Sequence, residues 1–120
     1  MSPPAPSRAR LDEDDLDLVF IALANRTRRR ILDIVAAHPG SAVGEVAEHF
    51  DMSRIAVQKH LATLDEASLL ISERRGRERL LWFNAVPLQL VHERWSERYR
   101  DFWTSRLTQL KYNVETEGKR

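Results

Sequence analysis

Cysteine is absent from this 120-residue chain, which excludes disulfides, thiolate nucleophiles and sulfur-ligated metal sites. No segment approaches the roughly 18 consecutive apolar residues of a membrane helix. The opening MSPPAPSRAR also lacks the apolar centre of a secretion signal. A soluble cytoplasmic protein without a membrane partner is expected. A glycine-rich phosphate loop, a nucleophile elbow and a spaced carboxylate pair in apolar surroundings are missing too, so no enzyme is expected and no catalytic residue is assigned. Charge of one sign is equally scarce. The 19 basic and 18 acidic side chains leave a formal net charge of +1, which does not indicate a uniformly basic nucleic-acid binder.

What is present is unevenly placed. Acid gathers in LDEDDLD (11–17), base in NRTRRR (25–30) and RRGRER (74–79). Such segregation can build a basic face on a nearly neutral protein, the arrangement that steers a molecule to phosphates; scattered solvated charge is the alternative. With 42% hydrophobic residues the chain can form one domain with a small core. The expected organisation is a disordered proline-rich arm over residues 1–12, a domain over 13–112 and a flexible tail over 113–120.

Apolar periodicity marks the helices. Leu16, Val19, Phe20 and Leu23 recur at helical spacing. Asn25 is placed to cap a second helix carrying Ile31, Leu32 and Val35, which stops at Pro39-Gly40. Val43, Val46, Ala47 and Phe50 form a short stripe before a tight break at Asp51-Met52. Ser53 then caps a helix whose Val57, Leu61 and Leu64 share one side, while Ile55, Gln58, Lys59 and Ala62 fall opposite. Two short helices about three residues apart, the second polar on its outer side, form a helix-turn-helix pattern. LLISERRGRERLLWFN then changes period: two apolar runs flank a charged turn at Gly76, as in a β-hairpin. Leu81 and Phe83 lie on one face, Leu80 and Trp82 on the other, so the hairpin must be covered twice. After Pro87 a long helix begins.

A mainly α domain with a small β-hairpin in this order is a winged helix-turn-helix, whose second helix enters the major groove of double-stranded DNA. That accounts for an exposed face combining Ile55, Gln58 and Lys59. Gln58 suits adenine, Ile55 a thymine methyl, Arg54 guanine or phosphate, and Lys59 phosphate. Ser53 and His60 flank them, and Arg74, Arg75, Arg77 and Arg79 of the wing suit the backbone. Arg26 and Arg28 sit in a helix's first turn, where the macrodipole disfavours cations; a phosphate or a carboxylate of residues 11–17 is the expected compensating anion, so Arg28 joins the DNA-binding candidates. An interaction module using the same arginines on an acidic partner remains open. His38, His49, His60 and His92, the last beside Glu93, offer a pair of metal ligands at best, so no metal or other cofactor is expected. Val91, Trp95, Tyr99, Phe102, Trp103, Leu107 and Leu110 exceed what one small domain can cover. A homodimer is expected in which this last helix and the first, through Leu16, Val19, Phe20 and Leu23, pack on their symmetry mates.

LANRTRRRILDIV, VGEVAEHFDMSRIAVQKHLATLDEASLL and RRGRERLLWF together resemble the ArsR/SmtB-type winged-helix transcriptional regulators over roughly residues 16–110. The resemblance implies a fold order α-α-α-α-β-β-α and a dimeric repressor that binds an imperfect inverted repeat, often at its own promoter. Metal sensors of that family carry cysteine in the helix before the reading helix, or Asp and His on the last helix. Here VGEVAEHF and a lone His92-Glu93 stand instead, so the chain resembles a non-metal branch, with no effector specified. Relatives usually have glycine after the reading helix; this chain has Ser68, and a left-handed cap there costs about 1 kcal/mol.

Overall fold

A computed structural model describes residues 11–118. In chain order its elements are α1 (Glu13–Leu23), α2 (Arg26–Ala37), β1 (Ser41–Ala42), α3 (Val43–Ala47), α4 (Arg54–Glu66), β2 (Leu70–Arg75), β3 (Glu78–Phe83) and α5 (Val86–Gly118). The described chain divides into two compact units at Leu90/Val91, within α5. Of the arm expected over 1–12, residues 1–10 lie outside the described residues.

Helices α1, α2 and α4 start where a side chain can take up orphan N–H groups. The Asp15 amide donates to Asp12 Oδ1 at 2.8 Å and the Asp12 amide to Asp15 Oδ2 at 3.4 Å, a reciprocal box at the positive end of α1. Part of the acidic run is therefore engaged locally. Asn25 Oδ1 accepts from the Arg28 amide at 3.0 Å, and Ser53 Oγ from the Ala56 amide at 3.1 Å, so both expected caps are in place.

In the first unit, Val19, Ile31, Val35, Val57, Leu61 and Leu64 are fully buried. Burying each such side chain contributes about 1.5–3 kcal/mol. This corrects the role expected for α1: Leu16 and Val19 belong to the core of the protomer, not to a dimer face. The stripe of Leu16, Val19 and Ala22 turns inward, because α1 packs on both α2 and α4. Phe20 and Ile21 are exposed, and Leu23 is half-buried.

The hairpin expected from sequence is part of a three-stranded antiparallel sheet in the order β1-β3-β2. Residues Ser41 and Ala42 pair with Leu81 and Leu80. A two-residue strand has no alternation to read, so β1 was invisible to periodicity. Its presence makes β3 the central strand, paired along both edges. Leu80 and Trp82 bury against Ala42, with Ile71 packed alongside, while Leu81 is fully buried on the opposite side. The turn is the two residues between the paired Arg75 and Glu78, with Gly76 at φ 62°, where a type II′ hairpin takes glycine.

The exit from α4 is closed by a left-handed residue. Ser68 has φ 58°, its amide donates to the Asp65 carbonyl at 2.9 Å, and the Leu69 amide reaches back to Leu64 O at 3.0 Å. This is the Schellman pattern, built on serine rather than glycine. Buried Asn84 secures it: Asn84 Nδ2 donates to Ser68 O at 2.7 Å, and the Asn84 amide to Leu69 O at 2.9 Å.

The last helix continues to Gly118, past the boundary expected at residue 112. Pro87 lies in its first turn, where a missing N–H costs nothing. From residue 88 to 117 there is no proline or glycine, and each helical residue adds a backbone bond once the helix is nucleated.

Candidate nucleic-acid interface

The face of α4 that lacks core partners is the one singled out by its residue types. Val57, Leu61 and Leu64 are fully buried, while Ile55 is 67% exposed. Gln58, Lys59 and Ala62 are exposed beside it. Ser53 opens the helix as its cap, and Arg54 follows in the first turn, where no acidic residue offsets its charge. A groove runs between α3, the start of α4 and the hairpin; Arg54, Gln58, Arg74 and Arg77 line it, with Glu45 and Glu48 on the α3 wall.

The hairpin arginines divide by partner. Arg74 and Arg77 are exposed. Arg75 pairs with Glu73 at 3.2 Å, both half-exposed, a surface contact that water screens. Arg79 does not join the solvent-facing set: its guanidinium is ion-paired with Asp65 near the end of α4. The ion pair ties this guanidinium to the protomer, while Arg79 still lines the groove beside Arg74 and Arg77. Arg79 stands directly opposite Arg74 across the strands, and the Asp65 carboxylate relieves that like-charge pairing by drawing one of the two cations onto α4.

Arg28 also departs from expectation. Its Nη2 donates to Ile21 O and its Nε to Ala22 O, both at 2.8 Å, while Arg29 Nη1 donates to Leu23 O at 2.7 Å. Within the protomer, the partner that offsets the Arg28 charge in the first turn of α2 is thus not the acidic run. It is the carbonyl end of α1, which has no basic residue in its own last turn.

His60 lies against the same guanidinium, with Arg28 Nη1 3.4 Å from His60 Nδ1. Burial, and behind it the Arg28 charge, hold the imidazole below its usual value near 6.5. A neutral ring whose Nδ1 faces a permanent donor carries its proton on Nε2. His60 is therefore part of a joint between α1, α2 and α4 and is less exposed than Gln58 or Lys59.

Sequence reasoning missed Asp65, Asn84 and Gly44. The first two are polar residues whose partners are distant in sequence, Arg79 and Ser68. Gly44 sits inside α3 without a positive φ to mark it.

In the second unit, Trp95, Tyr99, Phe102, Trp103, Leu107 and Leu110 are all exposed on α5. Trp103 meets Tyr99 and Phe102 edge-on, with ring centroids 6.0 and 5.8 Å apart, and the Arg106 guanidinium lies 4.9 Å from the Phe102 centroid. Among the described residues no group of three or more His, Cys, Asp or Glu is placed to hold a metal ion, and no helix is long and apolar enough to cross a membrane.

Residues 23–73 match a helix-turn-helix domain family. The chain is 37% identical over 87 residues to the uncharacterized HTH-type transcriptional regulator YuzN of Bacillus subtilis (strain 168), spanning 68% of this chain and 95% of that protein. It is 35% identical over 71 residues to the transcriptional repressor SdpR of the same organism, spanning 59% of this chain and 78% of the repressor. The structure of an ArsR-like transcriptional regulator from Rhodococcus sp. RHA1 superposes with a TM-score of 0.64 at 30% identity, covering 82% of this chain and 91% of that one. With the exposed polar face of α4 and the charged hairpin at its side, this chain belongs to the ArsR family of winged helix-turn-helix, DNA-binding transcriptional regulators.

Proposed function

We propose that the protein is a cytoplasmic repressor that binds an imperfect inverted-repeat operator as a homodimer, with its own promoter among its targets. The observation that carries the reading is the solvent face of α4, where Ile55, Gln58 and Lys59 stand exposed between the capped start of the helix and the hairpin. Gln58 presents both an acceptor and a donor, as adenine's major-groove edge requires, and Ile55 offers apolar surface to a thymine methyl. Arg54 reaches guanine or a phosphate; Lys59, Arg74 and Arg77 bind phosphates. Repression draws support from the likeness to SdpR.

The homodimer rests on α5. Eight large apolar side chains exposed along the described part of one helix exceed what a monomer usually leaves in water, and a second copy of the helix covers them. Phe20 and Ile21 of α1, both exposed, offer further apolar surface for that contact. The proposed control is not by a metal ion, a reading supported by the lack of cysteine together with a last helix that offers only His92 beside Glu93 as ligands.

A mobility shift on the DNA upstream of the protein's own gene tests the reading, combined with a salt titration. A specific shift whose log Kd rises linearly with log salt supports it, because phosphate contacts release counterions. No shift beyond that on a scrambled duplex, at any salt concentration, refutes binding at that promoter.

A further inference from the structure

Gly44 breaks a local rule. It lies inside α3, a helix of five residues, where glycine is less favourable than alanine because it must give up more backbone freedom. Its backbone needs no special conformation, since it is helical and its φ is not positive. Nor would the core resist a methyl group. A Cβ built at Gly44 meets one neighbour within 4 Å, Nη2 of Arg54, at 3.3 Å. The space that a side chain would fill is occupied by that guanidinium.

Arg54 breaks a second rule at the same place. It opens α4, where the helix dipole is positive and no acidic residue of the first turn offsets the charge. Two unfavourable choices, a glycine in one helix and a cation at the start of the next, meet in one contact on the wall of the groove that also holds Gln58, Arg74 and Arg77. Sequences that violate local preference at a single point tend to do so where function requires it.

We infer that Gly44 is a positioning residue for DNA recognition: its missing side chain forms the seat on which the Arg54 guanidinium lies, aimed along the groove between α3 and the hairpin. This rests on the proposed role of Arg54 at the operator. A side chain at position 44 lifts the guanidinium off α3 by a few tenths of an ångström or more. The fold tolerates this, because what must move is the far end of a flexible side chain. The charge remains and only its aim changes, so operator and random DNA respond differently.

The test uses the full-length protein, a duplex enriched by the wild type from a random pool, and a scrambled duplex of the same composition. Gly44→Ala should leave the melting temperature unchanged or raise it by a few degrees at fixed protein concentration. It should weaken binding to the enriched duplex severalfold while hardly affecting the scrambled one. Gly44→Leu should weaken specific binding further. In an Arg54→Ala background, itself expected to lose about fivefold to a hundredfold in specific affinity, both changes at position 44 should be silent. Equal losses from Gly44→Ala with and without Arg54 would overturn the seat, as would full specific affinity of Gly44→Leu in a protein that Arg54→Ala impairs. Wild-type binding by Arg54→Ala would overturn the role of Arg54 and the seat with it.

Discussion

Arg28 and His60 show how far a side chain's meaning depends on distant partners. From sequence Arg28 looks like a phosphate ligand; in the fold it caps the carbonyl end of α1. Hydrogen bonds to a charged group are worth about 1.5–3 kcal/mol each, so Arg28→Ala should cost about 2 kcal/mol or more in urea denaturation. The salt slope of DNA binding should be unchanged, because this guanidinium neutralises no phosphate. His60 adds a pH dependence of definite sign. Its folded-state pKa lies below the ordinary value of 6.5, so the unfolded chain binds more protons between the two values. The stabilisation is present above the unfolded value and disappears as pH falls through the folded one. Denaturation at about pH 7.5 and about pH 5 should show a decrease that is smaller in His60→Gln, a change that keeps an acceptor near Arg28 and removes the titration. His92 and Glu93 lead to a different expectation. Zinc should leave operator affinity unchanged; a chelator-reversible loss of binding with stoichiometric metal would contradict the proposed absence of metal control.

Elements were legible where a local rule governs them. The caps at Asn25 and Ser53 and the glycine turn at residue 76 each depend on neighbours within a few positions, and all three stand as expected, while the exit at Ser68, left open by the sequence, is left-handed. Strand β1 was not legible, since its two residues become a strand only by pairing with β3. The ion pair of Arg79 was not legible for the same reason, its partner Asp65 lying on another element. The Ser68 cap gives a direct test. With φ at 58°, Ser68→Gly should remove a strain of about 1 kcal/mol, offset in part by the extra freedom of the unfolded chain. A modest rise in melting temperature is the expected result. The reading helix and hairpin should fail differently. Gln58→Ala should weaken specific binding by about 1–3 kcal/mol with little effect on random DNA. Arg77→Ala should weaken binding to all duplexes and reduce the salt slope by about one unit for each phosphate left unneutralised, two for a dimer with both sites engaged. If Gln58→Ala weakens both DNAs alike, or Arg77→Ala leaves the slope intact, the assignment of groove and backbone roles is wrong.

At the scale of the whole molecule, the apolar stripe of α5 was plain in the sequence because helical periodicity survives over many turns. The expected contribution of Leu16 and Val19 was not correct, because a helix with apolar residues on more than one side does not announce which side its own domain takes. Replacing Phe102 and Trp103 by alanine, each half-exposed in the single protomer, should shift sedimentation of a dimer toward monomer at micromolar concentration and leave the fold of the first unit intact. A wild-type protein that sediments as a stable monomer would refute the dimer. The pairing of Ser41 with Leu81 bears on how the chain reaches this state. The two residues lie some forty positions apart, with the whole helix-turn-helix between them, so their ladder closes a long loop and forms only after the intervening helices have collapsed. Once formed, it cannot open by fraying the hairpin alone. The amide of Gly40, bonded to the Leu81 carbonyl at 2.8 Å, should therefore exchange its hydrogen only through cooperative unfolding of the domain, at a rate matching the slowest amides of α2 and α4, while amides at the tip around Gly76 exchange by local opening.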